Sequence, residues 1–369
     1  MPPKTGTEER KLDHIRICLK ENVQSRTAST GFEDVHLLHR ALPEVNLGEV
    51  NTASAILGHS LSAPIIIGAM TGGTSEAAKI NAVLAEAAEE FGIGMGVGSQ
   101  RAALENPKLT QTYAVAREKA PHIFLLANLG CPQFVKGYSV GEARRAVEMV
   151  KADALAVHLN PLQEAVQVEG QTDFKGALNK LRELARALDV PVVVKETGAG
   201  IAAEEAEALE DAGVKAIDVS GVGGTSWAAV EYHRAKRSRR GLSERLGLSF
   251  WDWGIPTVVS LVEVRSSTRL PVIAGGGIRS GVDVAKALAL GADAVSLALP
   301  FLKAAVGGRK QVLKTLQYIV AELRVAMFLT GARSVQELRA KPVVVTGKMA
   351  EWLKARGFTL EGYAKRGCE

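Results

Sequence analysis

The chain has 369 residues, 47% of them hydrophobic, a net charge of +5 and a pI near 9.0; that is enough for one large α/β barrel with extensions or for two ordinary domains. No apolar run reaches the ~18–20 residues of a membrane span, and the polar start MPPKTGTEERKLDH has no signal-peptide core, so a cytoplasmic location without membrane contact is expected. The three cysteines, Cys18, Cys131 and Cys368, lack metal-ligand spacing, which disfavours disulfides and structural zinc, and the mild positive charge suits an anionic substrate but not nucleic acid.

Residues 1–60 read as an N-terminal arm. From there, apolar runs alternate with helical patterns. Strands are expected at 64–70, 93–97, 123–129, 154–159, 190–195, 216–219, 272–274 and 294–297. Helical spacing fills the intervals, as at 76–91, 140–151, 175–188 and 204–212. Eight such units within about 250 residues predict a (β/α)8 TIM barrel over 61–330. A doubly wound sheet has similar local patterns, but no dinucleotide fingerprint is present. Gly92, Gly94, Gly96 and Gly98 alternate without forming GxGxxG, and Gly347-Lys348 lacks the rest of a P-loop. An insertion after the sixth strand, about 226–253, carries Phe250, Trp251 and Trp253, and reads as a lid or a subunit contact. Its basic run, 233–240, reads as a solvated loop or subunit contact. Residues 331–369 are expected to form a C-terminal helical tail packed on the barrel.

In a barrel, chemistry gathers at the C-terminal strand ends. The first strand ends in small residues and a hydroxyl, Ala69, Met70 and Thr71, which suit a flat ring lying close to backbone. The second ends in Ser99-Gln100-Arg101, a hydroxyl and a guanidinium for an anion, and the third in the amide Asn128. Each of these also reads as an ordinary turn residue. The fourth ends in His158-Leu-Asn160-Pro-Leu-Gln163-Glu164. Alternation puts His158 and Asn160 on one face, and Glu164 reads either as a ligand for a divalent cation shared with a diphosphate or as a solvated loop carboxylate. Lys195 closes the fifth apolar run, where a charge is costly unless used. It reads as a stabiliser of negative charge on a cofactor ring, or as the ion-pair partner of Glu196 or another acid. The sixth supplies hydroxyls at Ser220 and Thr225 among glycines. Gly275-Gly276-Gly277 after the seventh, and the amides of Ala298 and Leu299 after the eighth, form a phosphate grip; a tight turn without ligand is the alternative. Phosphate contacts at one edge and ring contacts around the rest suit flavin mononucleotide.

With these residues assembled, the sequence resembles the type 2 isopentenyl-diphosphate isomerases over nearly its whole length. The motifs are Arg10-Lys11-Leu-Asp-His14, Ala69-Met-Thr-Gly-Gly73, Gly98-Ser-Gln-Arg101, His158 to Glu164, Val194-Lys-Glu-Thr-Gly198, Ser220 to Trp227 and Gly275-Gly-Gly277. The resemblance implies an FMN barrel that interconverts isopentenyl and dimethylallyl diphosphate with reduced flavin, made using NADPH, and with Mg2+. It implies FMN contacts from Ala69, Met70, Thr71, Ser99, Asn128, Lys195, Ser220, Thr225, Gly275, Gly276, Gly277, Ala298 and Leu299. Arg10, Lys11, Ser99, Gln100 and Arg101 are then expected at the diphosphate, His158, Asn160 and Gln163 close to the substrate, and Glu164 at Mg2+. Gln163 is the candidate for the second proton-handling position, and Glu231 a further candidate acid. A homo-oligomer, tetramer or octamer, is expected. The rival flavin barrels fit less well. Hydroxy-acid oxidases place a His before, and an Arg after, glycines that here read Val222-Gly-Gly-Thr225, and nucleotide dehydrogenases use a Cys where none lies between Cys131 and Cys368. Mere flavin binding would not need Gln163, Glu164 and Lys195 together.

Overall fold

The computed structural model describes residues 6–367, so Cys368 lies outside the described residues. The arm contributes the helix Thr7–Lys20 and three short strands, β1 (Val35–Leu37), β2 (Ser54–Ile56) and β3 (His59–Leu61). The barrel follows: β4 (Ile65–Ile67), β5 (Gly94–Gly96), β6 (Leu125–Gly130), β7 (Ala154–His158), β8 (Val192–Lys195), β9 (Ala216–Asp218), β10 (Val272–Ala274) and β11 (Ala294–Leu297). All eight lie inside or within one residue of the expected runs. They pair in parallel and in sequence order, and β11 closes on β4. Buried apolar runs make such strands because both faces are covered, the outer one by helices. Those helices start and stop where local chemistry dictates. Ser75–Phe91 is capped by Thr74 and ended by left-handed Gly92, and Gly281–Ala289 begins at a Ser280–Asp283 capping box.

Alternation along the strands divides the barrel interior into layers. The lower layers are apolar: Ile66, Leu126, Ala156, Val193, Ile273 and Ala294 pack there together with Phe124. The β2–β3 hairpin plugs this end with Ile56 and Leu61, and His59 stacks on Phe124 at 4.9 Å. One step up each strand the residues are Gly68, Gly96, Asn128, His158, Lys195, Asp218, Gly275 and Ser296. This upper layer is polar or side-chain-free, and it forms the floor of the open mouth.

Arm and tail are joined rather than separate. β1 pairs antiparallel with β12 (Val343–Val345), with Val35 opposite Val345. The insertion is helical, Trp227–Arg237 and Gly241–Ser249. The expected loop over 233–240 is therefore corrected: most of the run lies on a helix. Arg234 there is buried, donating to Glu231 Oε2 at 3.1 Å and to Glu169. Tertiary partners decide this, and a charge count cannot show them. Among the described residues no helix is long and apolar enough to cross a membrane.

Candidate active site

A cavity of about 250 Å³ opens at the C-terminal end of the strands, roofed on one side by the arm helix. The predicted residues Ala69, Met70, Thr71, Ser99, Arg101, Asn128, His158, Asn160, Gln163, Glu164 and Lys195 all line it. So do Ser220, Thr225, Gly276, Gly277, Ala298 and Leu299 at the opposite edge, and Arg10 and Lys11 from above.

The phosphate-grip edge is built by absent side chains. A Cβ on Gly276, whose φ is +93°, would lie 2.2 Å from the Gly221 carbonyl oxygen, and one on Gly224 would lie 2.4 Å from the Gly277 nitrogen. Two glycine turns thus interlock, and larger residues cannot enter. Beside them the helix Leu299–Val306 starts at Ala298, with Pro300 in its first turn, so its unpaired N–H groups point to the same corner. Arg279 also lines this corner and donates to Gln24 Oε1 at 3.2 Å. Sequence reasoning missed it, although an arginine two positions past three glycines was a usable signal. These donors and the lack of bulk fit a phosphate-bearing ring cofactor.

Two of the expected residues, Gln100 and Gly275, do not line the cavity. Gln100 is fully buried away from the cavity: its Nε2 donates to the Ala146 carbonyl at 2.7 Å and its Oε1 accepts from the Asn128 N–H at 2.8 Å. It caps the start of the helix Arg101–Glu105, and the turn points it inward. Gly275 lies beneath the cavity wall, where a Cβ would sit 2.5 Å from both Asp218 Oδ1 and Ser220 Oγ. Its lack of a side chain makes room for that pair rather than for a ligand.

The catalytic-face residues form one network. His158 Nδ1 lies 2.8 Å from Asn128 Oδ1, which makes Nδ1 the protonated nitrogen because the amide oxygen only accepts. Burial, and then the charges of Lys195 and Lys11, push His158 down to about 3, so it is neutral. Asn160 Nδ2 donates to Gln163 Oε1 at 3.2 Å and to Glu164 Oε1 at 3.0 Å. Glu164 Oε2 accepts from Gln167 Nε2 at 2.9 Å and from the Gln171 N–H at 2.6 Å. Asn160 Oδ1 is buried with no hydrogen-bond partner among the described residues. Among the described residues no group of three or more His, Cys, Asp or Glu could hold a metal. One carboxylate and one orphaned amide oxygen fit a Mg2+ ion only if substrate oxygens complete its shell.

Glu231 is corrected as a candidate acid. It does not line the cavity, and it is buried among donors: His14 Nε2 at 2.9 Å, Gln163 Nε2 at 3.1 Å and Arg234 Nη1 at 3.1 Å. Burial alone would raise its carboxyl, but His14, Arg234 and Gln163 together bring it down to about 2. It is an anchor for Gln163, held ionised. Of the ion-pair partners expected for Lys195, Glu196 is not the one used; another acid, Asp218, is. Glu196 turns its Oε2 to the N–H groups of Thr197, Gly198 and Ala199, while Lys195 Nζ donates to the Glu196 carbonyl and faces Asp218 Oδ2 at 3.8 Å.

Arg10, Lys11 and Arg101 converge on the other edge. Lys11 Nζ contacts the Ser99 carbonyl and the hydroxyl of buried Tyr113, and Tyr113 itself donates to Ser99 O at 2.7 Å. Burial, then the nearby Arg10, lowers Lys11 to about 7. An anion placed here would meet cations already assembled at a cost.

The chain matches the model of the FMN-dependent dehydrogenase family over residues 4–135 and 142–345. In fold it is similar to a mandelate oxidase variant holding a C4a-hydroxy FMN adduct, with a TM-score of 0.62 and 22% identity over 92% of this chain and 98% of that one. It is 50% identical over 361 residues to the isopentenyl-diphosphate delta-isomerase of Methanosarcina barkeri, covering 98% of each. With the isomerase of Pyrococcus furiosus it shares 51% over 370 aligned positions, covering 98% of this chain and 92% of that protein. At such identity along both chains, it belongs to the FMN-dependent dehydrogenase family and, within it, to the type 2 isopentenyl-diphosphate delta-isomerases.

Proposed function

We propose that the protein interconverts isopentenyl and dimethylallyl diphosphate by a 1,3-proton shift beside reduced FMN, as a step of isoprenoid synthesis. One observation carries this reading. The cavity has a phosphate grip at one edge and a cation cluster at the other, and among its described lining residues Glu164 is the sole acid. Moving the double bond of an unactivated alkene needs a proton at one carbon and loss of another two carbons away. Side-chain acids match so weak a base poorly. Reduced FMN seated over the mouth would supply an electron-rich ring and an exchangeable proton. NADPH is the proposed reductant.

The chain's own residues do the rest. Arg10, Lys11 and Arg101 would hold the diphosphate, and Glu164 and Asn160 would hold a Mg2+ ion that neutralises part of its charge. His158 stays neutral and keeps Nδ1–H on Asn128, which leaves Nε2 to accept a hydrogen bond. Gln163, fixed by Asn160 on one side and Glu231 on the other, orients the substrate's reacting carbons. Lys195 lies in the floor and favours negative charge on the ring. Ile15, Leu302 and Trp227 keep water from the alkene. The arm, barrel and tail would act as one unit, in a cytoplasmic homo-oligomer for which exposed Leu42 and Leu242 are available contacts.

Incubation with isopentenyl diphosphate in D2O tests the reading. Deuterated dimethylallyl diphosphate should appear only with FMN, reductant and Mg2+. Turnover with permanently oxidised flavin would overturn it.

A further inference from the structure

We propose that Asp218 is a charge-balancing partner of Lys195, and that the pair rather than the lysine alone sets the charge at the flavin site. This rests on the reading that FMN lies over the barrel mouth. Lys195 and Asp218 are register partners at the ends of β8 and β9, and both point into the barrel's upper layer. Both side chains are largely buried, 13% and 5% exposed, so neither charge is screened well by solvent. Asp218 Oδ1 is fixed twice, by the Ser220 N–H at 3.2 Å and the Ser220 hydroxyl at 2.8 Å. This leaves Oδ2 as the atom facing Lys195 Nζ, 3.8 Å away. Among the described residues, the other close partner of Lys195 is the neutral Glu196 carbonyl.

The backbone is bent to keep this arrangement. Ser220 has φ +33°, a left-handed conformation that a residue with a Cβ rarely adopts. Such strain persists only where surroundings over-determine it, and it clusters at functional sites. Here the turn brings both the N–H and the hydroxyl onto one carboxylate oxygen. Gly275 completes the fit, since any side chain there would collide with that contact. A small cavity of about 10 Å³ lies directly below the mouth, with Lys195, Asp218 and Ser296 as its polar walls. It is the size of one water, and a water there would link the pair to β11.

A carboxylate next to the lysine offsets part of its field at the ring above. Asp218→Asn keeps the shape and the Ser220 contacts but deletes the negative charge. Reduced flavin, the more anionic form, should then bind more tightly relative to oxidised flavin by about tenfold, which is about 30 mV more positive for a two-electron couple. The experiment is a reductive titration of FMN-loaded wild type and Asp218→Asn against a reference dye, with the visible spectrum confirming loading. Asp218→Ser, which deletes the same charge with a smaller neutral side chain, should shift the potential in the same direction. It keeps the test decisive if the asparagine variant does not fold. A potential equal to wild type, or more negative, in the flavin-loaded variants overturns the proposal. Failure of the wild type to take up FMN at all would instead remove the reading on which it rests.

Discussion

Lys11 makes the reading of the cation cluster testable through pH alone. Its ammonium is disfavoured first by burial, then by Arg10, and with the smaller effect of Arg101 it titrates near 7 rather than at 10.5. An anion beside Nζ restores the charged form, so binding takes up a proton above neutrality. If only the charged form binds, the competent fraction is about one half at pH 7 and about one in a hundred at pH 9, a loss of about fiftyfold in affinity. Calorimetric titration of the FMN-loaded protein with inorganic diphosphate at pH 7, 8 and 9 measures this. Repeating it in buffers of different ionisation enthalpy counts the proton. Lys11→Met supplies the baseline set by the ligand's own ionisation, and should bind weakly with the fall abolished. Parallel pH profiles for variant and wild type would refute the reasoning. For folding the sign is the reverse of a paired lysine. Between about pH 7 and 10.5 the unfolded chain holds a proton that the folded chain has released, so ligand-free stability rises with pH across that window.

Gly276→Ala forces a methyl against Gly221 and a side chain into a left-handed turn. Overpacking and backbone strain together should cost about 2–4 kcal/mol, seen as a lower Tm and loss of bound flavin; an unchanged yellow protein would show that the turn has slack. Glu231→Gln leaves Arg234 and His14 short of a buried carboxylate and should destabilise by about 3–5 kcal/mol in denaturant. Because its folded carboxyl lies at about 2 against the ordinary 4.5, that stabilisation is complete above pH 4.5 and disappears as pH falls towards 2. Wild-type-like acid unfolding in the variant would count against the anchor role. Lys195→Ala should lower kcat chiefly, through weaker support of the reduced ring; an unchanged kcat with a raised KM would point to substrate binding instead.

The barrel was legible because its strands are buried on both faces and therefore spell continuous apolar runs, such as Leu125–Gly130, between helices with clear caps. Strand ends then located most of the cavity, since the fold fixes where such ends point. The arm helix was not legible. TEERKLDHIRICLK is dominated by charged and polar residues, and its few apolar residues, Ile15, Ile17 and Cys18, are packed into the barrel's main core by contacts far away in sequence, with Ile15 and Cys18 also edging the cavity. Gln100 was misplaced because a motif gives neighbours but not orientation: the turn after β5 sends Ser99 and Arg101 to the cavity and Gln100 beneath it. Glu231 was misjudged for a related reason. Its ionisation depends on His14, 217 positions away, and on Gln163, 68 away, and no local pattern encodes such distances.

Residues 23–30 cross the rim where the two glycine turns interlock. Ser25 N–H donates to the Gly224 carbonyl at 2.8 Å, Thr30 lies against Gly277, and Asp252 grips the Arg26 and Thr27 N–H groups at 2.9 and 2.8 Å. The arm is thereby tied to both glycine turns at the rim. Its moorings, Asp252 and the Arg26–Trp251 stack at 3.5 Å, lie outside the cavity lining, so substitutions there would reach the glycine turns through the main chain of the arm and not through the pocket.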